Sequence, residues 1–308
     1  MAKSDKDRKR GKRHSGVVLF LRDAGVAALI VALILLAMFA FTGKWPPLVV
    51  VESNSMMHSP QDKDVSHIGI IDTGDLVLVK KVDATADVET YVDGFVSGHR
   101  TYGDYGDVII YRPFGESGRT PIIHRAMVYL EVNEDRNSYR VTALREMPAD
   151  KWGTTDSADT WDYLTSTLTI KDVGYTGGSV VIDIQHLSHP FTSGYVTKGD
   201  HNSQVDQFDG SSPVQLSWVV GKARGEIPWF GLLKLWSTDT LGSPAPENSV
   251  RDLWIAIALI VLCPIVFDIA MTYKEKRDIE AKKAAALTRD EELSETPKTE
   301  EKGGGRGR

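Results

Sequence analysis

Two long apolar runs, one near each end of the chain, limit what everything between them can be. From Ala24 to Phe41 there is no charge and one glycine, Gly25, over about 18 residues. That is close to the least an α-helix needs to cross a hydrocarbon core roughly 30 Å thick. A cleaved signal peptide has a shorter apolar stretch and a small-x-small pattern behind it. Here the run is followed by Thr42-Gly43-Lys44-Trp45-Pro46-Pro47, with a Trp suited to the membrane interface, so a retained anchor is expected. The second run, Leu253 to Tyr273, contains Pro264 and Asp268. Proline is tolerated in membrane helices, where neighbouring groups satisfy the freed carbonyl, and Asp268 is close enough to the end to approach headgroups or Lys274. A buried helix of a soluble domain is the rival reading of this run.

Charge around the two runs gives an orientation. Lys3, Lys6, Arg8, Lys9, Arg10, Lys12, Arg13 and Arg22 precede the first, and only Lys44 follows closely. Lys274, Lys276, Arg277, Lys282 and Lys283 follow the second, against Arg251 before it. Positive charge marks the cytoplasmic side of a membrane segment. The expected organisation is a basic cytoplasmic N-terminus (1–23), a transmembrane helix (24–42), an extracytoplasmic domain (43–252), a second transmembrane helix (253–273) and a charged cytoplasmic tail (274–308). The tail is expected to be a short helix followed by disorder.

The region 43–252 reads mainly as strands. Leu48-Val49-Val50-Val51, Asp75 to Val82, Val108-Ile109-Ile110-Tyr111, Ile122-Ile123, Val180 to Ile184 and Trp218-Val219-Val220 are short and rich in β-branched residues. No stretch there carries a convincing helical period, so the fold class is mainly β, an antiparallel domain flanked by two membrane helices. Gly74-Asp75, Gly106-Asp107 and Gly199-Asp200 read as ordinary turn pairs. Two intervals, 83–105 and 133–178, read as insertions. The aromatic run from Ile227 to Trp236 suits either the membrane surface or packing under the β domain.

Composition narrows the chemistry. The single cysteine, Cys263, rules out a disulfide framework within one chain and a cysteine-rich zinc site. The net charge is −6, and no basic patch with interleaved aromatics lies in the middle region, so nucleic acid is not an expected partner. No cluster of metal-ligand spacing is visible, and no cofactor is expected.

Three segments could hold a nucleophile, a base and an orienting acid. Ser53-Asn54-Ser55-Met56 follows a strand shortly after the first membrane run. Pro121-Ile122-Ile123-His124-Arg125 puts a histidine on a strand-like run, and Thr197-Lys198-Gly199-Asp200-His201-Asn202 is followed by Asp206. A serine hydroxyl at neutral pH needs a base within hydrogen-bond reach, and a histidine held by a carboxylate supplies one.

In order and content these segments resemble the boxes of type I signal peptidases, in the branch found in archaea and the endoplasmic reticulum. The similarity runs through Ser55-Met56, Gly106-Asp107-Val108-Ile109-Ile110-Tyr111, His124-Arg125, Lys198-Gly199-Asp200-His201-Asn202, Val220-Gly221-Lys222-Ala223 and Pro228-Trp229-Phe230-Gly231. It covers about Val49 to Gly231, without the two insertions. There are departures: Met57-His58 stands where the family has a proline nearby, His201 where it commonly has Asn, and Asp206 where it often has an acidic pair.

The resemblance implies a serine endopeptidase that removes signal peptides from exported preproteins, cutting after small residues at the outer membrane surface. Ser55 would be the nucleophile and His124 the base. Asp206 is the first choice for the acid and Asp200 the second. Ser53 and the Ser55 backbone N–H would meet the oxyanion. Lys80-Lys81, His58 and His201 are the competing bases. The implied partners are secretory preproteins, membrane lipid and the protein-export machinery. Two other readings compete: a self-cleaving serine-protease regulator, and a non-catalytic, membrane-anchored β domain that binds other proteins.

Overall fold

The structure is a computed structural model that describes residues 5–59, 65–134, 137–156, 160–208 and 210–294. It is mostly antiparallel β-sheet, with a long apolar helix towards each end of the chain. The chain divides into two compact units, Met1–Leu253 and Trp254–Arg308.

Helix α1 covers Asp5–Thr42, and within it Phe20–Thr42 is long and apolar enough to cross a membrane. Its aliphatic side chains from Val26 to Leu36 are exposed around the whole circumference. A helix apolar on every side has no stable place in water and requires lipid or protein around it. The helix stops for local reasons. Thr42 turns its hydroxyl back to the Met38 carbonyl at 2.8 Å, and Gly43, at φ 65°, donates its N–H to the Phe39 carbonyl. A left-handed glycine in this position closes a helix because it has no Cβ to clash. Thr42 is buried, and its own carbonyl accepts the Lys81 N–H at 2.8 Å, so the end of the helix is sewn onto the domain that follows.

That domain is built on a seven-stranded antiparallel sheet. Its strands are β1 (Leu48–Val50), β2 (Leu76–Lys80), β5 (Val108–Tyr111), β6 (Ile122–Val132), β7 (Tyr139–Arg140), β11 (Gly194–Lys198) and β12 (Val219–Ile227), in the order β1-β2-β12-β5-β6-β11 with β7 against β6. The alternation expected of a half-buried strand holds in β2, where Val77 and Val79 are fully buried and Leu76 and Leu78 partly so. Strand β5 is buried at all four positions, as a central strand covered on both faces must be.

The two intervals read as insertions are built into the core. The first forms α2 (Tyr91–Ser97) and a small hairpin, β3 (Arg100–Thr101) with β4 (Asp104–Tyr105). Seven residues are too few to show a 3.6-residue period, so this helix has no periodic signature along the chain. What starts it is a cap: Thr90 accepts the Asp93 N–H, and the Asp93 carboxylate takes the Thr90 N–H. Gly94 lets α2 lie against the turn at Gly106; a Cβ there would be 2.3 Å from the Gly106 nitrogen. The second interval forms β8 (Trp152–Thr154) and β9 (Thr167–Val173), which join β10 (Gly178–Asp183) in a three-stranded antiparallel sheet ordered β10-β9-β8. Leu168, Ile170 and Ile182 from this sheet are fully buried in one cluster with Met127, Val128 and Leu130 of β6. Truncating one such leucine typically costs about 2–5 kcal/mol, so the interval is structural.

Helix α3, Gly231–Thr238, occupies the aromatic run near the end of the domain. It divides its two candidate roles between faces: Leu232 and Leu235 are fully buried, while Leu233 and Trp236 are exposed. Helix α4, Glu247–Ser294, then begins in the first unit, where Asn248 exchanges two hydrogen bonds with the Ser66 backbone. Its stretch Glu247–Lys283 contains a second window apolar enough to cross a membrane, and Pro264 sits inside the helix without ending it. By length and composition, both stretches could cross a membrane.

Candidate active site

The loop after β1 carries Ser53 and Ser55, and its shape follows from what flanks them. Met56 and Met57 are buried to 1% and 0% exposure, so the two residues after Ser55 act as apolar pegs. Met57 N–H closes a turn onto the Asn54 carbonyl, and the Gly242 and Ser243 N–H groups hold the Glu52 carbonyl. On the far side the His201 N–H donates to the Ser55 carbonyl at 2.9 Å.

Strand β6 brings in His124, paired in register with Ile109 of β5 and 7% exposed. Its Nε2 lies 2.9 Å from Ser55 Oγ and its Nδ1 2.5 Å from Asp206 Oδ2. Asp206 follows β11 and is fixed by its N–H to the Thr197 carbonyl. Its Oδ2 also accepts the Thr197 hydroxyl at 2.7 Å and the Tyr111 hydroxyl at 3.0 Å. Burial, then the negative charge of Asp206, pushes the Tyr111 phenol upward, which keeps it a proton donor to the carboxylate. Ser53 Oγ lies 3.2 Å from Ser55 Oγ.

Four expected residues therefore meet: Ser53, Ser55, His124 and Asp206. Asp200, the second choice of acid, does not join His124. Its carboxylate forks onto Arg125, with Nε at 2.8 Å and Nη2 at 2.5 Å, and its Oδ2 takes His58 Nε2 at 2.8 Å. Burial alone would raise this carboxyl, but the Arg125 charge and hydrogen bonds, with His58, hold it well below the usual carboxylate range. His58 and His201 are drawn to other partners, Asp200 and the Tyr175 hydroxyl. Lys80 lies exposed on β2 over the Phe41 ring, and Lys81 pairs with Asp83.

The three Gly-Asp pairs do more than turn the chain. Asp75 accepts the Trp229 and Asp72 N–H groups, and Asp107, fully buried, meets His99, Lys222 and Arg224. Burial would raise Asp107, but the bonds from His99 and Lys222 and the Arg224 charge hold it below the ordinary range. Gly199, beside Asp200, is needed for space: a Cβ there would lie 2.6 Å from the Ser55 carbonyl oxygen and 2.9 Å from His124 Nε2.

A cleft of about 800 Å³ opens over Ser55, lined by Leu48 to Ser53 on one side and Thr120 to His124 on the other. Both walls present unpaired backbone. The Val79 N–H donates to Pro47 and the Val51 N–H donates to Asp75. Alternate residues of an antiparallel strand bond to opposite sides, which leaves Leu48 and Val50 facing away from β2. Across the cleft, β11 pairs with β6 only from Arg125 onward, so Ile122 to His124 are paired on the β5 side alone. Val49, Val51, Met56, Ile122 and Ile123 make the floor largely apolar.

Among the described residues, no group of three or more His, Cys, Asp or Glu is placed to hold a metal ion. No protein-family model and no curated protein matches this chain.

Proposed function

We propose that the chain is a membrane-anchored serine endopeptidase of the type I signal peptidase kind, cutting signal peptides from exported preproteins after small residues. The observation that carries this reading is the unbroken chain Ser55 Oγ, His124 Nε2, His124 Nδ1, Asp206 Oδ2 at the wall of a cleft with two open strand edges. An extended peptide entering the cleft hydrogen-bonds to the free side of β1 and to Ile122–His124, as an added strand does. Its alternate side chains then face the apolar floor, which suits small apolar ones.

Ser55 Oγ attacks the scissile carbonyl while His124 Nε2 takes its proton. The negative oxygen that forms is met by the Ser55 N–H and the Ser53 hydroxyl, and one such donor typically contributes about 2.7–4 kcal/mol of transition-state stabilisation. Asp206 keeps Nδ1 protonated and offsets the charge on the imidazolium; Tyr111 and Thr197 fix the carboxylate in turn. His124 gives the proton to the leaving amine, the C–N bond breaks and an acyl-serine remains. Water, activated by the same imidazole, releases the signal peptide carboxylate and restores Ser55. With both ends cytoplasmic, as the flanking positive charge favours, the cleft faces the outer surface, where the export machinery delivers preproteins.

The test is cleavage of a labelled preprotein by the detergent-solubilised chain and by Ser55→Ala. Cleavage after a small residue that the substitution abolishes supports the proposal. Equal cleavage by both removes Ser55 as nucleophile. No cleavage by either favours a non-catalytic binding domain.

A further inference from the structure

The Ser55 loop is pinned on a side that the reaction does not use. Strands β9 and β10 are joined by a turn whose tip carries Tyr175. The Tyr175 ring stacks on His58, with centroids 4.5 Å apart and planes 21° apart. Its hydroxyl donates to the Ser59 carbonyl at 3.3 Å and shares a 3.0 Å hydrogen bond with His201 Nδ1. One side chain thus touches the loop that carries Ser55 and the loop whose His201 N–H holds the Ser55 carbonyl.

His58 continues the connection inward. Its side chain is 10% exposed, and its Nε2 reaches the Asp200 carboxylate that Arg125 also holds. Arg125 is the neighbour of His124 on β6 and is itself fastened to the carbonyls of Thr101, Tyr105 and Gly106. The chain Tyr175–His58–Asp200–Arg125 therefore ties the nucleophile's loop to the strand of the base by a route separate from the Ser55–His124 hydrogen bond.

We propose that Tyr175 and His58 are positioning residues, and that the β9–β10 hairpin is a clasp holding the Ser55 loop at hydrogen-bond distance from His124. Neither residue lines the cleft, so both act through the loop and neither touches substrate. The kinetic consequence rests on the peptidase reading of Ser55; the structural consequence does not. A misplacement of about 1 Å at a reacting group costs on the order of 100-fold in rate, so loss of the clasp should lower kcat roughly 10- to 100-fold with KM unchanged. Tyr175→Phe keeps the stacking and loses the hydroxyl contacts, so it should lie between wild type and Tyr175→Ala. His58→Gln keeps an N–H donor at similar reach of Asp200 and should retain most of the rate that His58→Ala loses.

The experiment measures kcat and KM on a labelled preprotein for the full-length wild type, Tyr175→Ala, Tyr175→Phe, His58→Ala and His58→Gln. It also follows amide hydrogen exchange over residues 53–59 in the same proteins. Lower kcat at constant KM in the two alanine variants, rescue by His58→Gln and faster exchange in the loop support the clasp. Wild-type kcat in both alanine variants, or a change confined to KM, overturns it. If the wild type cleaves nothing, the peptidase reading has failed and exchange alone decides. Faster exchange over 53–59 in both alanine variants then supports the clasp, and unchanged exchange overturns it.

Discussion

Replacing Gly199 by alanine puts one methyl group into the narrowest place around Ser55. The new Cβ would stand 2.6 Å from the Ser55 carbonyl oxygen, 2.8 Å from Asn202 Nδ2 and 2.9 Å from His124 Nε2. To reach an ordinary contact of 3.4 Å, the Ser55 backbone must retreat by about 0.8 Å or the Gly199 loop must lift by as much. The Asn202 amide can swing away, but the Ser55 carbonyl is backbone, and His124 is held by its bond to Asp206. Overpacking of this kind costs about 1–3 kcal/mol of stability, a modest fraction of the about 5–15 kcal/mol typical of a domain, so the protein should still fold. Its effect on rate should be larger, because a displacement near 1 Å between nucleophile and base costs on the order of 100-fold. The assay is kcat on a labelled preprotein beside thermal unfolding. Gly153→Ala serves as control, since nothing lies within 4 Å of the Cβ it adds. A folded Gly199→Ala protein with kcat within about twofold of wild type would refute the argument that Gly199 is there to let Ser55 and His124 meet.

Asp206→Asn keeps the size of the side chain but removes the charge that orients His124, and kcat should fall on the order of 10⁴-fold with the fold intact by circular dichroism. Arg125→Met leaves the Asp200 carboxylate buried without its ion partner. It should lower stability by about 3–5 kcal/mol in a denaturation series, and adding Asp200→Asn should recover part of that loss. Burial raises the Asp75 carboxyl to about 7 and the Asp72 carboxyl to about 6, with Asp72 and Glu226 adding repulsion at Asp75. The folded state then holds protons that the unfolded chain has already released above pH of about 4. Stability should therefore fall as pH rises from about 4 to 7, by up to roughly 1.4 kcal/mol per pH unit for each proton. Asp75→Asn should flatten that slope, read as melting temperature against pH; an unchanged slope would rule out Asp75 as the titrating group.

Much of the site could be read along the chain because each of its members sits in a local pattern. Ser55 follows a β-branched strand just past an apolar run, His124 ends a short apolar run, and Asp206 comes shortly after a Gly-Asp turn. Sequence left the choice between Asp206 and Asp200 open, because only pairing across the sheet decides it. Thr197 lies opposite Ala126 and Lys198 opposite Arg125, which brings Asp200 to the arginine. The supporting shell left no local trace. Tyr111 and Asp206 are 95 residues apart, and His58 and Asp200 are 142 apart; no periodicity reports on contacts of that range. The packing of the two insertions was hidden for a different reason. Their polar turns dominate a reading by composition, while the few residues that fill the core, such as Leu168 and Ile170, are spaced as in any short strand.

The end of α1 has a mechanical consequence. Thr42 is buried where the helix meets β2, and the Lys81 N–H bonds to its carbonyl. Only 12 residues of chain separate it from Ser55, and part of that length is strand β1. A long tether would let the cleft over Ser55 rise and sink above the lipid; this joint leaves little slack for that. With Phe20–Thr42 in a bilayer, this short joint would hold Ser55 at a set height above the lipid. The protein then works as a gauge. On the peptidase reading proposed above, a preprotein would be cut where its chain reaches that height, and the distance from its apolar core to the bond would then be part of recognition.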